Sequence, residues 1–181
     1  GSLAYYLAQM LSLVTGNLDR EGGNILPARG VLPMVMPPEA SADRPTQWGA
    51  YRPARGTPPG SLMADMILDD ESPLRAMIVV AGNPALSIGG GERLERALAS
   101  LDLLVTVDFY RNATGELAHW TLPAADWFER EDLNYFVQGV QRRPYLQWTA
   151  AVVDEQAERK SDAWIFSRLL QEMGLPSLLD I

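Results

Sequence analysis

The sequence predicts an α/β fold, a mostly parallel sheet with flanking helices, on three observations. Two runs, Ala76 to Ala81 and Leu103 to Val107, are near-continuously apolar, with Thr106 the one exception, rather than alternating, as expected of strands covered by helices on both faces. Between them Leu94, Ala97, Leu98 and Leu101 recur at helical spacing, so the stretch folds as a β-α-β unit. Gly82-Asn83-Pro84 and Gly89-Gly90-Gly91 supply the turn chemistry between the first strand and that helix.

The elements follow in order. Leu3, Leu7, Met10, Leu11 and Val14 form one helical face, and Gly16 stands where a left-handed cap would end it. An amphipathic helix that opens at the second residue leads us to expect further chain upstream. From about residue 22 to 60 the sequence holds Pro27, Pro33, Pro37, Pro38, Pro45, Pro53, Pro58 and Pro59 with no stable periodicity, which reads as a long functional loop or connector. Ser61 offers an N-cap for a short helix through about Leu68, ended by Asp69-Asp70-Glu71-Ser72-Pro73. After the first strand come a helix from Glu92 to Ser100, the strand from Leu103 to Val107, a helical turn or two within Asn112 to Leu117, and a short strand from His119 to Leu122 stopped by Pro123. The aromatic-rich stretch from Trp127 to Thr149 reads as extended or irregular. Ser161 then caps a helix whose stripe is Phe166, Leu169, Leu170 and Met173, closed by Gly174 and Pro176. Residues 1–181 are expected to make a single domain with a Rossmann-like sheet.

Composition excludes several classes of function. Fifteen Lys plus Arg against 23 Asp plus Glu leave a formal charge of −8, which disfavours a nucleic-acid backbone or an anionic membrane as partner. The absence of cysteine excludes a disulfide framework, a cysteine-ligated cluster and a cysteine nucleophile within these residues, and a single His cannot make a multi-histidine metal site. No apolar run approaches the roughly 20 residues of a membrane span. Neither nucleic acid nor membrane insertion is therefore expected, and the expected location is the cytoplasm.

In an open parallel sheet ligands bind beyond the carboxyl ends of the strands, where loops and helix N-termini gather. Two such ends are visible. At the first, Gly82 permits close backbone approach or a positive φ, Asn83 brings an amide that donates and accepts, and Pro84 stiffens the exit. At the second, Asp108 follows LLVTV. Its carboxylate suits two parallel hydrogen bonds, from a ribose diol or from the N1–H and N2–H₂ edge of a guanine; the plain alternative is a cap for the helix that follows. Gly89-Gly90-Gly91 lacks the Lys and Ser/Thr of a P-loop and the spacing of GxGxxG, so it reads as a turn. His119 beside Trp120 reads as structural, and Glu129-Arg130-Glu131-Asp132 and Arg142-Arg143 as solvated surface. No catalytic residue or metal ligand is assigned.

Taken in succession, LSLVTGNLDREGGN, AMIVVAGNPALS, LDLLVTVDFYRNATGELAHWTLPAADWFERED, QRRPYLQW and SDAWIFSRLLQEMGLP resemble the catalytic subunits of molybdopterin-dependent oxidoreductases that carry a bis(molybdopterin guanine dinucleotide) cofactor, the group of formate dehydrogenases, nitrate reductases and dimethyl sulfoxide reductase. The resemblance covers nearly the whole chain. It implies a domain that binds the guanosine diphosphate arm of the molybdenum cofactor. Gly82, Asn83 and Pro84 match the family's turn, Asp108 its acidic residue that reads guanine or ribose, and Thr114 the Thr of its "TA" element. Thr15, Gly16, Asn17, Gly22 and Gly23 match a leading segment nearer the pterin. Two positions depart from the pattern: "AD" before "LP" reads Ala118-His119, and "ETA" reads Ala113-Thr114-Gly115. The iron–sulfur cluster, the molybdenum ligand and a C-terminal barrel domain of such enzymes would lie outside this chain. The implied partners are the remaining domains of the same catalytic subunit and electron-transfer subunits, and the isolated piece is expected to lack redox activity. The rival is a structural or assembly domain with the same sheet and an empty nucleotide site, like the central domain of thiamine-diphosphate enzymes.

Overall fold

The computed structural model describes residues 2–26, 58–135, 137–138, 141–177, 179 and 181. Most of the proline-rich stretch, residues 27–57, lies outside them. Contacts within the chain gather into two compact units, one of Gly1–Met36 with Asp132–Ala150, the other of Pro37–Glu131 with Ala151–Ile181.

The second unit carries the α/β architecture. Its elements are a 3₁₀ turn at Gly60–Leu62, α2 (Met63–Ile67), β1 (Ala76–Val80), α3 (Pro84–Ser87), α4 (Gly91–Ala99), β2 (Leu103–Asp108), α5 (Ala113–Leu117), β3 (Trp120–Pro123) and α6 (Asp162–Glu172). The three strands form a parallel sheet in the order β1-β2-β3, with Val80 opposite Val107 and Asp108 opposite Pro123. Helices lie on both faces, as the apolar strands require. On one face Leu104 packs with Leu94, Ala97, Leu98 and Leu101 of the α4 segment and with Ala64 and Ile67 of α2. On the other, Val107 and Ala124 meet Ile165 of α6.

The coverage is unequal. Successive residues of β1 alternate between exposed and half-buried, and Ile78 is 48% exposed. The α6 stripe turns toward the sheet, yet Leu169 is 38% and Met173 69% exposed. Phe166, Leu169, Leu170 and Met173 instead face Ile78, Leu103, Val105, Trp120 and Leu122 across an apolar groove of about 550 Å³. Among the described residues no strand pairs with the outer edge of β1.

Local differences from the sequence expectation have simple causes. Ser61 caps nothing: it lies inside the 3₁₀ turn, and Leu62 stands at the α2 N-cap without a side-chain bond. Ser161 does cap α6, its Oγ accepting from the Trp164 N–H at 3.3 Å. Glu129 is buried, not solvated; its carboxylate pairs with Arg159 and accepts the Asp126 N–H at 3.0 Å, stapling the segment after β3 to the approach to α6. His119 accepts the Leu104 N–H at Nδ1 (2.9 Å), while its backbone N–H donates to the Leu104 carbonyl (2.8 Å), so it extends the β2–β3 pairing.

The first unit contains α1 (Ser2–Val14) and a short antiparallel pair, β4 (Asp132–Leu133) with β5 (Trp148–Thr149). Gly16 ends α1 at φ 68°, the left-handed conformation that glycine adopts without a Cβ penalty. No helix among the described residues is long and apolar enough to cross a membrane.

Candidate functional site

Parallel pairing places the carboxyl ends of β1 and β2 side by side. The pairing runs one residue past β1, because the Ala81 N–H donates to the Val107 carbonyl at 2.9 Å. There the chain turns sharply: Ala81 has φ 49°, a left-handed conformation unusual for a residue with a Cβ. Of the two uses expected of Gly82, close backbone approach or a positive φ, the second is corrected, since the bend falls one residue earlier. A Cβ on Gly82 would meet only ordinary contacts, Val79 Cγ1 at 3.6 Å and the Val80 carbonyl at 3.7 Å.

Asn83 precedes Pro84, which opens α3 in the first turn, where a missing N–H costs nothing. The Asn83 side chain does not cap that helix. It crosses to the β2–α5 connection, where its Oδ1 accepts from the Thr114 N–H (3.2 Å) and the Thr114 hydroxyl (2.8 Å). Thr114 is fully buried, and its Oγ1 accepts the Ala85 N–H at 3.1 Å. One hydroxyl therefore satisfies a free N–H of α3 while it holds Asn83 in place. The Asn83 NH₂ group donates to no described residue.

Asp108 does not cap α5; Asn112 does. Asn112 Oδ1 accepts from the N–H groups of Thr114 (3.0 Å) and Gly115 (3.1 Å), a geometry its extended ψ of −175° permits. The same side chain turns its Nδ2 to the Gly82 carbonyl (3.3 Å) and to Asp108 Oδ2 (3.0 Å). The second carboxylate oxygen, Oδ1, accepts the Tyr110 N–H at 3.2 Å. Asp108 is half-buried, and each of its oxygens keeps a lone pair for a further donor.

The structure thus joins Gly82, Asn83, Asp108 and Thr114 in one network, with Pro84 beside it as the first residue of α3. Sequence reasoning missed Asn112, its hub; the signal was an Asn directly before a short helical pattern and four residues after the strand-terminal Asp. It also missed an aromatic rim, Phe109 with Trp127 (ring centroids 6.2 Å, edge-on) and Tyr110 (6.5 Å).

Thr15, Gly16 and Asn17 lie in the first unit and are largely engaged in a turn. The Thr15 hydroxyl donates to the Leu11 carbonyl (2.7 Å), Asn17 Nδ2 donates to Thr15 Oγ1 (3.0 Å), and the Asn24 N–H donates to the Asn17 carbonyl (2.7 Å). Gly23 is required by close approach: a Cβ there would sit 2.2 Å from the Asn17 carbonyl oxygen.

The family model described as molybdopterin oxidoreductase matches residues 1–172. Among curated proteins, the probable oxidoreductase YyaE of Bacillus subtilis is 31% identical over 118 residues, covering 65% of this chain and 17% of that protein. A formate dehydrogenase 1 alpha subunit of Methanococcus maripaludis is 28% identical over 185 residues, covering 94% of this chain and 26% of the relative. Acetylene hydratase from Pelobacter acetylenicus is a structural neighbour with a TM-score of 0.57 and 25% identity, matching 63% of this chain and 15% of that one. The chain therefore spans about a quarter or less of these relatives' length.

Proposed function

Because the chain belongs to the molybdopterin oxidoreductase family, we propose that it forms part of a larger catalytic subunit and holds the guanosine diphosphate arm of a molybdopterin guanine dinucleotide. The observation that carries this reading is the network across two adjacent strand tips, in which the Asn112 side chain bonds the Asp108 carboxylate directly and reaches the Asn83 amide through Thr114. The donor set fits the nucleotide end of such a cofactor. Asp108 keeps acceptor capacity on both oxygens for the N1–H and N2–H₂ of guanine, and the Asn83 NH₂ remains a donor for an oxygen of the ribose or diphosphate. Phe109 follows Asp108 directly in the chain, and its exposed ring meets the exposed ring of Trp127, offering a base an aromatic surface on which to stack.

When bound in the intact subunit, the molybdenum centre supplies two-electron transfer of oxygen-atom or hydride equivalents. This chain's residues bind and orient the nucleotide end, so the isolated piece has no redox activity of its own under this reading. The rest of the subunit, with electron-transfer subunits, would complete the enzyme.

The test is thermal stabilisation by guanosine diphosphate against adenosine diphosphate. A ligand present at about 100 times its Kd stabilises the native state by about 2.7 kcal/mol, and only if it binds that state. Guanosine diphosphate is expected to raise Tm and adenosine diphosphate is not. Asp108→Asn replaces one acceptor with a donor and should cost about 1 to 3 kcal/mol of binding. Equal binding of guanosine diphosphate by the parent and substituted chains would remove Asp108 from the site.

A further inference from the structure

We infer that Asn112 is a positioning residue for base selection, its carboxamide aiming the Asp108 carboxylate and tying it to the β1 tip. This role rests on the guanosine reading of Asp108 given above. The carboxamide is divided between two tasks. Its oxygen caps α5 through the Thr114 and Gly115 N–H groups, work that a serine hydroxyl or an aspartate oxygen performs as well. Its NH₂ group has no part in capping, yet it is spent on Gly82 O (3.3 Å) and Asp108 Oδ2 (3.0 Å). Among the good capping side chains only asparagine brings those two N–H donors.

The consequence falls on Asp108. With only the Tyr110 N–H at Oδ1 (3.2 Å), its carboxylate would be free to rotate about that single anchor. The bond from Asn112 to Oδ2 fixes the second oxygen and therefore the carboxylate plane. A fixed plane leaves the two remaining lone pairs in a defined direction, which the paired N1–H and N2–H₂ of guanine can meet. Adenine cannot, because its N1 is an acceptor. Discrimination between purines depends on that direction more than on the presence of a carboxylate. The link to Gly82 O extends the same restraint to the turn that carries Asn83.

The experiment compares the parent chain with Asn112→Ser, measuring Kd for guanosine diphosphate and adenosine diphosphate by calorimetry and Tm without ligand. Serine keeps the cap but is too short to reach Gly82 and Asp108. The expected result is a folded chain whose Tm falls by only a few degrees, with the guanosine preference reduced about tenfold. A folded Asn112→Ser chain that keeps the parent's preference overturns the inference. If the serine chain does not fold, Asn112→Thr is used in its place. It retains a capping oxygen, lacks the NH₂ donors and carries the same expectation, and a retained preference in that chain is equally fatal. A parent chain that binds both nucleotides alike is a separate outcome, which sinks the guanosine reading and this role together.

Discussion

Thr114→Val tests whether one buried hydroxyl couples the two strand tips. Valine keeps the branched shape, so packing is conserved while Oγ1 is lost. Two bonds go with it: the donation to Asn83 Oδ1 at 2.8 Å and the acceptance from the Ala85 N–H at 3.1 Å. Asn83 keeps the Thr114 N–H at 3.2 Å, but Ala85 is only 7% exposed and its N–H gains no replacement. The lost hydroxyl bond is worth about 1 kcal/mol and the stranded N–H about 1 to 3, against something under about 1 returned by the buried methyl. The net cost lies between about 1 and 4 kcal/mol, centred on about 2 to 3, a fall in Tm on the order of 5–10 °C for a chain of this size. Thr114→Ser keeps both bonds and loses one methyl, for about 1 kcal/mol. Urea unfolding of the three chains, with m unchanged, measures the difference. If valine costs no more than serine, the hydroxyl does not couple the tips and the coherence claimed for the site is refuted.

Gly23→Ala forces a Cβ to within 2.2 Å of the Asn17 carbonyl oxygen, so the turn after α1 must open at a cost of about 2 to 3 kcal/mol. Faster hydrogen exchange at the Asn24 and Asp19 amides, which bond across that turn, is the expected readout, and unchanged protection would contradict it. The Arg93 guanidinium bonded to Asp65 (2.7 Å) holds that carboxyl below the usual aspartate range. Since the folded value is the depressed one, this pair's stabilisation is fully present above about pH 4 and fades as pH falls through the folded value. Asp65→Asn should therefore destabilise the chain slightly at pH 7 and make no difference in strong acid; an effect that persists below the titration would point to packing instead.

The two apolar runs, the turn at Gly82-Asn83-Pro84 and the acidic residue after LLVTV were legible in the sequence because they depend on local periodicity and on residue types with narrow conformational uses. Those features determined the β-α-β unit and the ends of the strands where a site would form. Which groups meet across those ends was not legible. Asn83 and Thr114 are 31 residues apart, and Asn112 and Gly82 30, so their contacts depend on the parallel register. The positive φ at Ala81, the burial of Glu129 and the open groove beside α6 belong to the same class. A side chain's hydrogen-bond partners and burial are properties of neighbours brought together by packing. Only the tertiary structure decided that Asn112, and not Asp108, would cap α5, leaving the carboxylate at the strand tip with acceptor capacity to spare.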